Sequence, residues 1–316
     1  MHVLLTGATG TIGRRLTRRL KQDGHLVTAY VRDLDRASAL LGPAVALVHH
    51  LDDAALAGAV EACDAVINLA GAPVAQRWTP QVRRELYASR VDVTRRIVDA
   101  IVSAAAPPST LLSASGVGWY ASHPTRVLDE SMPAGEDFLA RLSSDWEAEA
   151  VRAGREGPTR VATLRIGLVL TPEGGALARM APLFRWGLGA SVGSGRQYVP
   201  FIHVDDVLGL LLTALDDPRY EGPFNACAPQ PVPQRTFAKA LGRALHRPVP
   251  WRAPSLALRC MLGRDAMGIV TGSWRAVPTR ALRLGYRFTH PDLPDALSDL
   301  YAAAASAPLA RLDLSS

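Results

Sequence analysis

A glycine-rich turn near the N-terminus constrains the fold of this chain more than any other feature. The segment Thr6–Gly13 reads TGATGTIG, follows the apolar run Val3–Thr6 and opens the amphipathic stretch Ile12–Gln22. In this context the three glycines permit a tight turn, a close backbone approach to a pyrophosphate and close packing of helix on strand. The N–H groups at the helix start also attract phosphate. The pattern predicts a dinucleotide site with cofactor contacts from Gly7, Thr9, Gly10, Thr11, Ile12 and Gly13.

The end of the second strand bears on which dinucleotide is bound. The run Leu26–Val31 is typical of a strand and is followed by Arg32 and Asp33. An acidic residue at this place usually binds the ribose 2′-hydroxyl of NAD, whereas an arginine suits the 2′-phosphate of NADP. Arg32 therefore favours NADP(H), while Asp33 leaves NAD(H) open as the alternative.

Apolar strand patterns alternate with helical patterns through the first two thirds of the chain. Such an order indicates a parallel sheet with helices on both faces. We expect an α/β fold, a Rossmann-type doubly wound parallel sheet with a smaller C-terminal α/β substrate lobe. The predicted strands are Val3–Thr6, Leu26–Val31, Val45–Val48, Ala65–Leu69, Leu111–Ser113 and Val161–Ile166, and the predicted helices are Ile12–Gln22, Pro80–Ala106 and Asp137–Arg155.

The pattern changes after Gly167, where segments become shorter and prolines more frequent. We expect an NADP-binding Rossmann domain over residues 1–167, to which residues 201–226 return. Within that stretch Phe201–Leu215 and Phe224–Ala226 are expected to rejoin the main sheet. The smaller substrate lobe would comprise residues 168–200 and 227–306.

Composition limits the partners of the chain. Its 316 residues are 48% hydrophobic and 20% charged, which favours a folded globular protein over a disordered one. The net charge of +6 comes from scattered arginines, with Lys21 and Lys239 the only lysines, so a nucleic-acid surface is not favoured. Three cysteines in no C-x-x-C pair predict neither a disulfide framework nor a metal site. Without an 18-residue apolar run or a signal-like N-terminus, we expect a cytoplasmic protein that does not bind membranes.

Several further motifs occur in an order that resembles a known family. They are Asn68–Gly71, Ser113–Ser115, Gly195–Gln197, Phe201–Asp206 and Gly222–Ala226. With the glycine turn, they resemble an extended short-chain dehydrogenase/reductase, and most closely its atypical "epimerase family" branch, often named nucleoside-diphosphate-sugar epimerases. The stretch Pro278–Tyr286 resembles that branch's small C-terminal domain, which would occupy residues 250–300. Some relatives carry the label "cell division inhibitor".

The resemblance assigns roles to particular residues. The turn formed by Asn68, Leu69, Ala70 and Gly71 would lie along the adenosine and ribose of the cofactor. Ser115 would take the catalytic serine position near the nicotinamide. Arg165 would lie near the floor of the cleft, and Asp206 would cap a core helix.

The usual catalytic pair of the superfamily is absent from this sequence. Tyr-x-x-x-Lys moves a proton as hydride moves, but the matching positions hold Leu139 and Ser143. Three interpretations stay open: an enzyme with a rearranged site that uses Ser115, Tyr120 and His203, a cofactor-binding regulator without turnover, or a partner-binding protein that keeps the fold. Tyr120 is alternatively a cleft-lining aromatic residue, and His203 a structural histidine.

Candidate substrate residues lie in two loops. Arg77 and Trp78 follow the fourth strand, and Arg196 ends the glycine-rich stretch 189–197, which is alternatively a plain surface loop. We expect a small anionic substrate beside the nicotinamide, with a nucleotide-sugar as one candidate. The long helices Pro80–Ala106 and Asp137–Arg155 resemble elements that pair in extended relatives, which leaves both a monomer and a homodimer open.

Overall fold

Seven parallel strands form the central sheet of the computed structural model, which describes residues 1–253, 263 and 267–306. In chain order the strands of these residues are β1 (His2–Thr6), β2 (Leu26–Val31), β3 (Ala46–His49), β4 (Ala65–Asn68), β5 (Thr110–Gly116), β6 (Val127–Leu128), β7 (Arg160–Ile166), β8 (Leu168–Leu170), β9 (Ala190–Val192), β10 (Tyr198–Val199), β11 (Phe201–His203), β12 (Gly222–Ala226), β13 (Val232–Pro233), β14 (Trp251–Ala253) and β15 (Arg275–Ala276). The order across the central sheet is β3-β2-β1-β4-β5-β7-β12. The order in which successive strands are added to the sheet therefore reverses between β1 and β4, and doubly wound sheets bind their ligands at such a point.

Helices cover both faces of this sheet, as the alternating pattern predicts. The apolar sides of the first, second and eighth helices share one core with the sheet, and those of the third, fifth and sixth share another. The described helices are α1 (Thr11–Gln22), α2 (Leu34–Leu41), α3 (Asp53–Glu61), α4 (Pro80–Tyr87), α5 (Val93–Ser103), α6 (Phe138–Glu156), α7 (Gly175–Arg185), α8 (Val204–Asp216), α9 (Gln234–Ala244), the short helix Thr279–Arg283 and the C-terminal helix Leu293–Ser306. The doubly wound Rossmann-type fold is confirmed.

A separate apolar core lies away from the central sheet. It joins α7, α9 and the C-terminal helix through side chains such as Leu177, Phe184, Phe237 and Leu297. Residues 254–262, 264–266 and 307–316 lie outside the described residues, and Cys260 is among them. How the chain divides into domains stays a prediction.

The strand Phe201–His203 departs from the sequence prediction. Of the two segments expected to rejoin the main sheet, Phe224–Ala226 does so as part of β12, which pairs with β7. Phe201–His203 instead pairs with β8 in a separate two-stranded sheet. The hydrogen-bond partner changes at Gly167: the Gly167 N–H donates to the carbonyl of Ala226 in β12, whereas the Leu168 N–H donates to the carbonyl of Pro200, just before β11. The chain leaves the central sheet there.

The predicted helix Pro80–Ala106 is interrupted. It begins as expected, with Thr79 accepting a hydrogen bond from Val82 N–H and Pro80 in the first turn. A π-helical turn at Ala88–Asp92 then separates α4 from α5. Such turns insert an extra residue per turn, which a periodicity pattern does not reveal. None of the described helices is long and apolar enough to cross a bilayer.

Candidate functional site

The glycine turn has the close backbone contacts that the sequence predicts. Gly7 adopts φ +66°, and a Cβ atom there would lie 2.5 Å from the carbonyl oxygen of Leu69. A Cβ atom on Gly13 would lie 2.1 Å from the carbonyl oxygen of Gly7. Both contacts are with backbone, which cannot move aside easily, so only glycine fits at these two positions.

The turn delivers the start of α1 to the edge of the sheet. Gly10 precedes the helix, and no side chain caps it, so the first N–H groups of α1 have no side-chain acceptor. A cavity of about 500 Å³ opens at this helix end. It is lined by Thr9, Gly10, Thr11, Arg14, Arg36, Ala39, Leu40 and Glu173. The helix dipole and the two arginines make this cavity suitable for phosphate groups.

Arg14 and Arg36 are site residues that the sequence analysis did not single out. The Arg14 Nε atom is buried and has no hydrogen-bond partner among the described residues. Arg36 lies exposed in the first turn of α2. Their positions in the sequence could have indicated them, because Arg14 follows Gly13 of the glycine turn and Arg36 lies three residues after Asp33, in the segment that follows β2.

The side chain of Asp33 is hydrogen-bonded to the next helix, whereas that of Arg32 is exposed. Arg32 is exposed directly after β2. The Asp33 side chain caps α2 and accepts a hydrogen bond from the backbone N–H of Arg36 at 2.9 Å. One oxygen of the carboxylate that left NAD(H) as the alternative cofactor is therefore already hydrogen-bonded to the start of α2.

The turn Asn68–Gly71 lies beside the glycine turn, but Asn68 itself points into the core. Its Oδ1 accepts a hydrogen bond from the Thr6 hydroxyl at 2.6 Å, and its Nδ2 donates to the Thr94 hydroxyl at 2.7 Å. Asn68 is 1% exposed, whereas Leu69 and Ala70 are half-buried and Gly71 is exposed. The side chain of Asn68 thus ties β4 to β1 and α5, and cofactor contacts by the turn stay a prediction for its backbone.

A buried polar network lies at the carboxyl ends of β5 and β7. Ser115 and Arg165 are register partners on these strands, and Glu147 of α6 joins them. The Ser115 hydroxyl donates to Glu147 Oε1 at 2.6 Å, and the Arg165 guanidinium donates to both Glu147 oxygens at 2.8 and 2.9 Å. Burial alone would lower the pKa of Arg165, but its hydrogen bonds and attraction to Glu147 outweigh burial and raise that pKa. The Arg165 guanidinium therefore stays charged despite its burial.

Tyr120 extends this network inward. It is fully buried, accepts a hydrogen bond from Arg165 Nη1 at 3.0 Å and donates to Asn225 Oδ1 at 2.7 Å. Burial raises the pKa of Tyr120 to about 12, against the opposing effect of Arg165. Its phenol is therefore neutral at physiological pH, and its hydroxyl is fully used inside the protein. Arg165 also stacks on Trp119, with 3.9 Å between the guanidinium carbon and the ring centroid.

The positions of the missing catalytic pair carry packing residues. Leu139 is half-buried and contacts Gly118, where a Cβ atom would lie 3.2 Å from the Leu139 Cβ. Ser143 is 6% exposed. Glu147, one turn further along α6, carries the network instead, although no sequence motif points to it.

His203 belongs to a different cluster from Ser115 and Tyr120. It caps α8, accepting the Asp205 N–H on Nδ1 at 3.2 Å, and its ring centroid lies 3.9 Å from that of His290. Asp206, expected to cap this helix, is instead its third residue. The Asp206 carboxylate accepts instead from the backbone N–H groups of Thr289 at 2.7 Å and His290 at 3.0 Å. It therefore fixes the segment before the C-terminal helix.

The three substrate candidates differ in exposure. Arg77 and Arg196 are exposed. Trp78 is 8% exposed, packs edge-on against Phe138 at 5.1 Å and donates its indole N–H to the carbonyl of Val74 at 2.9 Å. The Trp78 ring thus supports the loop that carries Arg77.

Comparisons with known proteins agree with this architecture. The sequence profile of the NAD dependent epimerase/dehydratase family matches residues 3–227, and a domain of unknown function, DUF1731, matches residues 253–300. The Arabidopsis thaliana protein called "Epimerase family protein SDR39U1 homolog, chloroplastic" is 39% identical over 303 residues, covering 94% of this chain and 86% of that protein.

Two solved structures have the same overall fold as this chain. The human epimerase family protein SDR39U1, crystallised with NADPH, is 33% identical with a TM-score of 0.86, covering 96% of this chain and 99% of that chain. The UDP-glucuronic acid 4-epimerase of Bacillus cereus, in complex with UDP-glucuronic acid and NAD, is 17% identical with a TM-score of 0.75, covering 96% and 100%. At that identity the second likeness concerns the fold alone.

Proposed function

This chain belongs to the NAD dependent epimerase/dehydratase family, and we propose that it binds NADP(H) at the glycine turn. The observation that carries the proposal is the start of α1, which no side chain caps and which opens into a cavity of about 500 Å³ directly after the glycine turn. A dinucleotide pyrophosphate would lie against the N–H groups at the start of α1, with Thr9, Gly10, Thr11 and Ile12 around it. Leu69, Ala70 and Gly71 would line the adenosine and ribose.

The preference for NADP(H) over NAD(H) rests on charge at the end of β2. Arg32 is exposed there, Arg36 and Arg14 line the adjacent cavity, and Asp33 is engaged as a helix cap. Guanidinium groups match the geometry of a 2′-phosphate, whereas Asp33 already uses Oδ1 to cap α2. A relative of 33% identity crystallised with NADPH supports the same preference.

The cofactor proposal is tested by calorimetric titration of the purified full-length protein with NADPH and with NADH. We expect NADPH to bind much more tightly than NADH. Equal affinities would overturn the role of the arginines, and an absence of binding by both would overturn cofactor binding altogether.

For the activity, we propose an atypical oxidoreductase or epimerase that acts on a small anionic molecule. Exposed Arg77 and Arg196 supply cationic groups for such a ligand, and a nucleotide-sugar is one candidate because the distant structural relative binds one. The lobe formed by residues 168–200 and 227–306 would hold it. When bound, NADP(H) would supply or accept the hydride, and Ser115 would be the side chain that the family resemblance assigns to the nicotinamide end of the site.

A second candidate function, a cofactor-binding regulator without turnover, is favoured by the burial of Tyr120 and Ser115. Tyr120 is 0% exposed and Ser115 is 4% exposed, with its hydroxyl proton directed at Glu147. Neither side chain is available to a ligand as a proton donor. A screen of carbonyl compounds and nucleotide-sugars for NADPH oxidation or sugar inversion separates the two. Turnover supports the enzyme, and tight NADPH binding without turnover of any compound supports the regulator.

A further inference from the structure

Two histidines and two aspartates converge where the start of α8 meets the C-terminal helix. His203, Asp205, His290 and Asp299 each direct one potential ligand atom to the same place, and these atoms all lie within 4.8 Å of one another. The four residues come from three separate segments of the chain. They take no part in the polar network around Ser115.

His203 carries the feature that distinguishes this cluster from a chance group of charges. The ring is 1% exposed, yet its Nε2 atom has no hydrogen-bond partner among the described residues. An unpaired buried ring nitrogen is costly and calls for an explanation. Nε2 lies 3.4 Å from Asp299 Oδ2, beside the His290 ring.

The surrounding contacts fix the backbone at His290 and orient the carboxylate of Asp205. The buried Asp206 carboxylate binds the backbone N–H of His290 at 3.0 Å, which fixes that segment against α8. Asp205 directs Oδ1 to Arg15 at 3.3 Å, while its Oδ2 lies 3.8 Å from His203 Nδ1. One oxygen of Asp205 therefore faces the histidine without competing with the ion pair.

We propose that this cluster binds a divalent transition-metal ion of the zinc class, with His203, His290 and Asp299 as ligands and Asp205 as the carboxylate that orients His203. Imidazole nitrogens with a carboxylate suit Zn²⁺ and Co²⁺, whereas Mg²⁺ and Ca²⁺ prefer oxygen ligands alone. Ligand atoms around a tetrahedral ion with bonds of about 2.1 Å lie about 3.4 Å apart. The distance between His203 Nε2 and Asp299 Oδ2 already has this value.

Coordination requires a change of tautomer in His203. Because Nδ1 accepts the Asp205 N–H, the neutral ring carries its proton on Nε2. When Nε2 binds the ion, that proton moves to Nδ1, and no proton is lost overall. Nδ1 then no longer accepts the Asp205 N–H and would instead donate to Asp205 Oδ2, which lies 3.8 Å away and would move closer, giving the carboxylate–histidine–metal arrangement common in metal sites. The ion would clamp the C-terminal helix to α8.

The test is titration of untagged, chelator-treated full-length protein with CoCl₂, followed by visible absorption and by competition with ZnCl₂. A polyhistidine tag must be absent because it binds the same ions. We expect one Co²⁺ per chain, with the visible bands of a four-coordinate ion, and displacement by Zn²⁺. His290→Ala and Asp299→Asn should weaken Zn²⁺ binding by more than about 100-fold, and Asp205→Asn by about 10–100-fold.

Asp295→Asn provides the matched control, because Asp295 lies one turn earlier on the same helix and outside the cluster. Its affinity for Zn²⁺ should equal that of the wild type. Asp299 is half-exposed, so Asp299→Asn should keep the metal-free unfolding temperature of the wild type and is not open to the objection of misfolding. The proposal is overturned if the wild type binds no stoichiometric Co²⁺, or if Asp299→Asn binds the ion as tightly as Asp295→Asn does.

Discussion

Replacing Glu147 with glutamine should destabilise the fold severely. The side chains of Arg165 and Glu147 are 3% and 8% exposed, and the guanidinium binds both carboxylate oxygens. Glutamine preserves the volume but removes the negative charge and replaces one acceptor oxygen with a donor. The guanidinium would remain buried without its counter-charge. Breaking a buried pair from one side in this way costs about 3–5 kcal/mol.

The assay is thermal unfolding of the variant and the wild type without added ligand. With about 2–4 °C per kcal/mol for domains of this general size, the unfolding temperature should fall by about 6–20 °C. Glu156→Gln is the matched control on the same helix, because Glu156 pairs with Arg152 at the exposed end of α6. We expect that control to unfold at the wild-type temperature, since exposed ion pairs contribute little.

A double variant distinguishes loss of the pair from loss of packing. Glu147→Leu combined with Arg165→Met removes both charges and leaves apolar side chains of comparable length. Buried pairs replaced in this way commonly lose little stability, so the double variant should unfold at a higher temperature than Glu147→Gln. The reasoning is refuted if Glu147→Gln unfolds within a degree or two of Glu156→Gln, because a buried guanidinium without its counter-charge should lower the free energy of unfolding by more than that.

Three further predictions concern the cofactor site and Tyr120. Arg32→Ser should weaken NADPH binding by about 10–100-fold and leave NADH binding nearly unchanged, as one charge-assisted phosphate contact would, and equal loss for both cofactors in calorimetry would contradict it. Gly13→Ala should abolish NADPH binding because its Cβ would lie 2.1 Å from a backbone oxygen, whereas Gly58→Ala, with nothing within 4 Å, should bind normally in the same assay. Tyr120→Phe should lower the free energy of unfolding by about 1–3 kcal/mol in urea denaturation, since Asn225 and Arg165 each lose a buried partner, and an unchanged value would show that water replaces the hydroxyl.

The cofactor half of the site could be predicted from the sequence because its signal is local. The glycine turn, the strand before it and the helix after it are contiguous, and Gly7 and Gly13 have the contacts that this pattern requires. The parallel sheet with helices on both faces follows from the alternation of elements in the same way. Arg36 was missed because nothing in a helical first turn distinguishes a cavity-lining arginine from a solvated one.

The other half depends on pairings between distant segments. Glu147 meets Ser115 across 32 residues, and His203 meets Asp299 across 96, so spacing along the chain gives no indication of either contact. The pairing of Phe201–His203 with β8 was missed for a similar reason, because the two strands lie far apart in the sequence. A histidine after a short strand is compatible with a catalytic role, a helix cap and a metal ligand alike.

The direction of one hydrogen bond limits the chemistry that Ser115 can perform. Its hydroxyl proton is donated to Glu147 at 2.6 Å, and a charged carboxylate can only accept. Ser115 can therefore accept a hydrogen bond from a ligand but cannot donate one to a carbonyl oxygen while Glu147 stays ionised. A hydride transfer to a carbonyl would then need a proton donor other than Ser115. An enzyme of this kind should be slowed little by Ser115→Ala, whereas a site that uses the serine as proton donor should lose about 10²–10⁴-fold in rate.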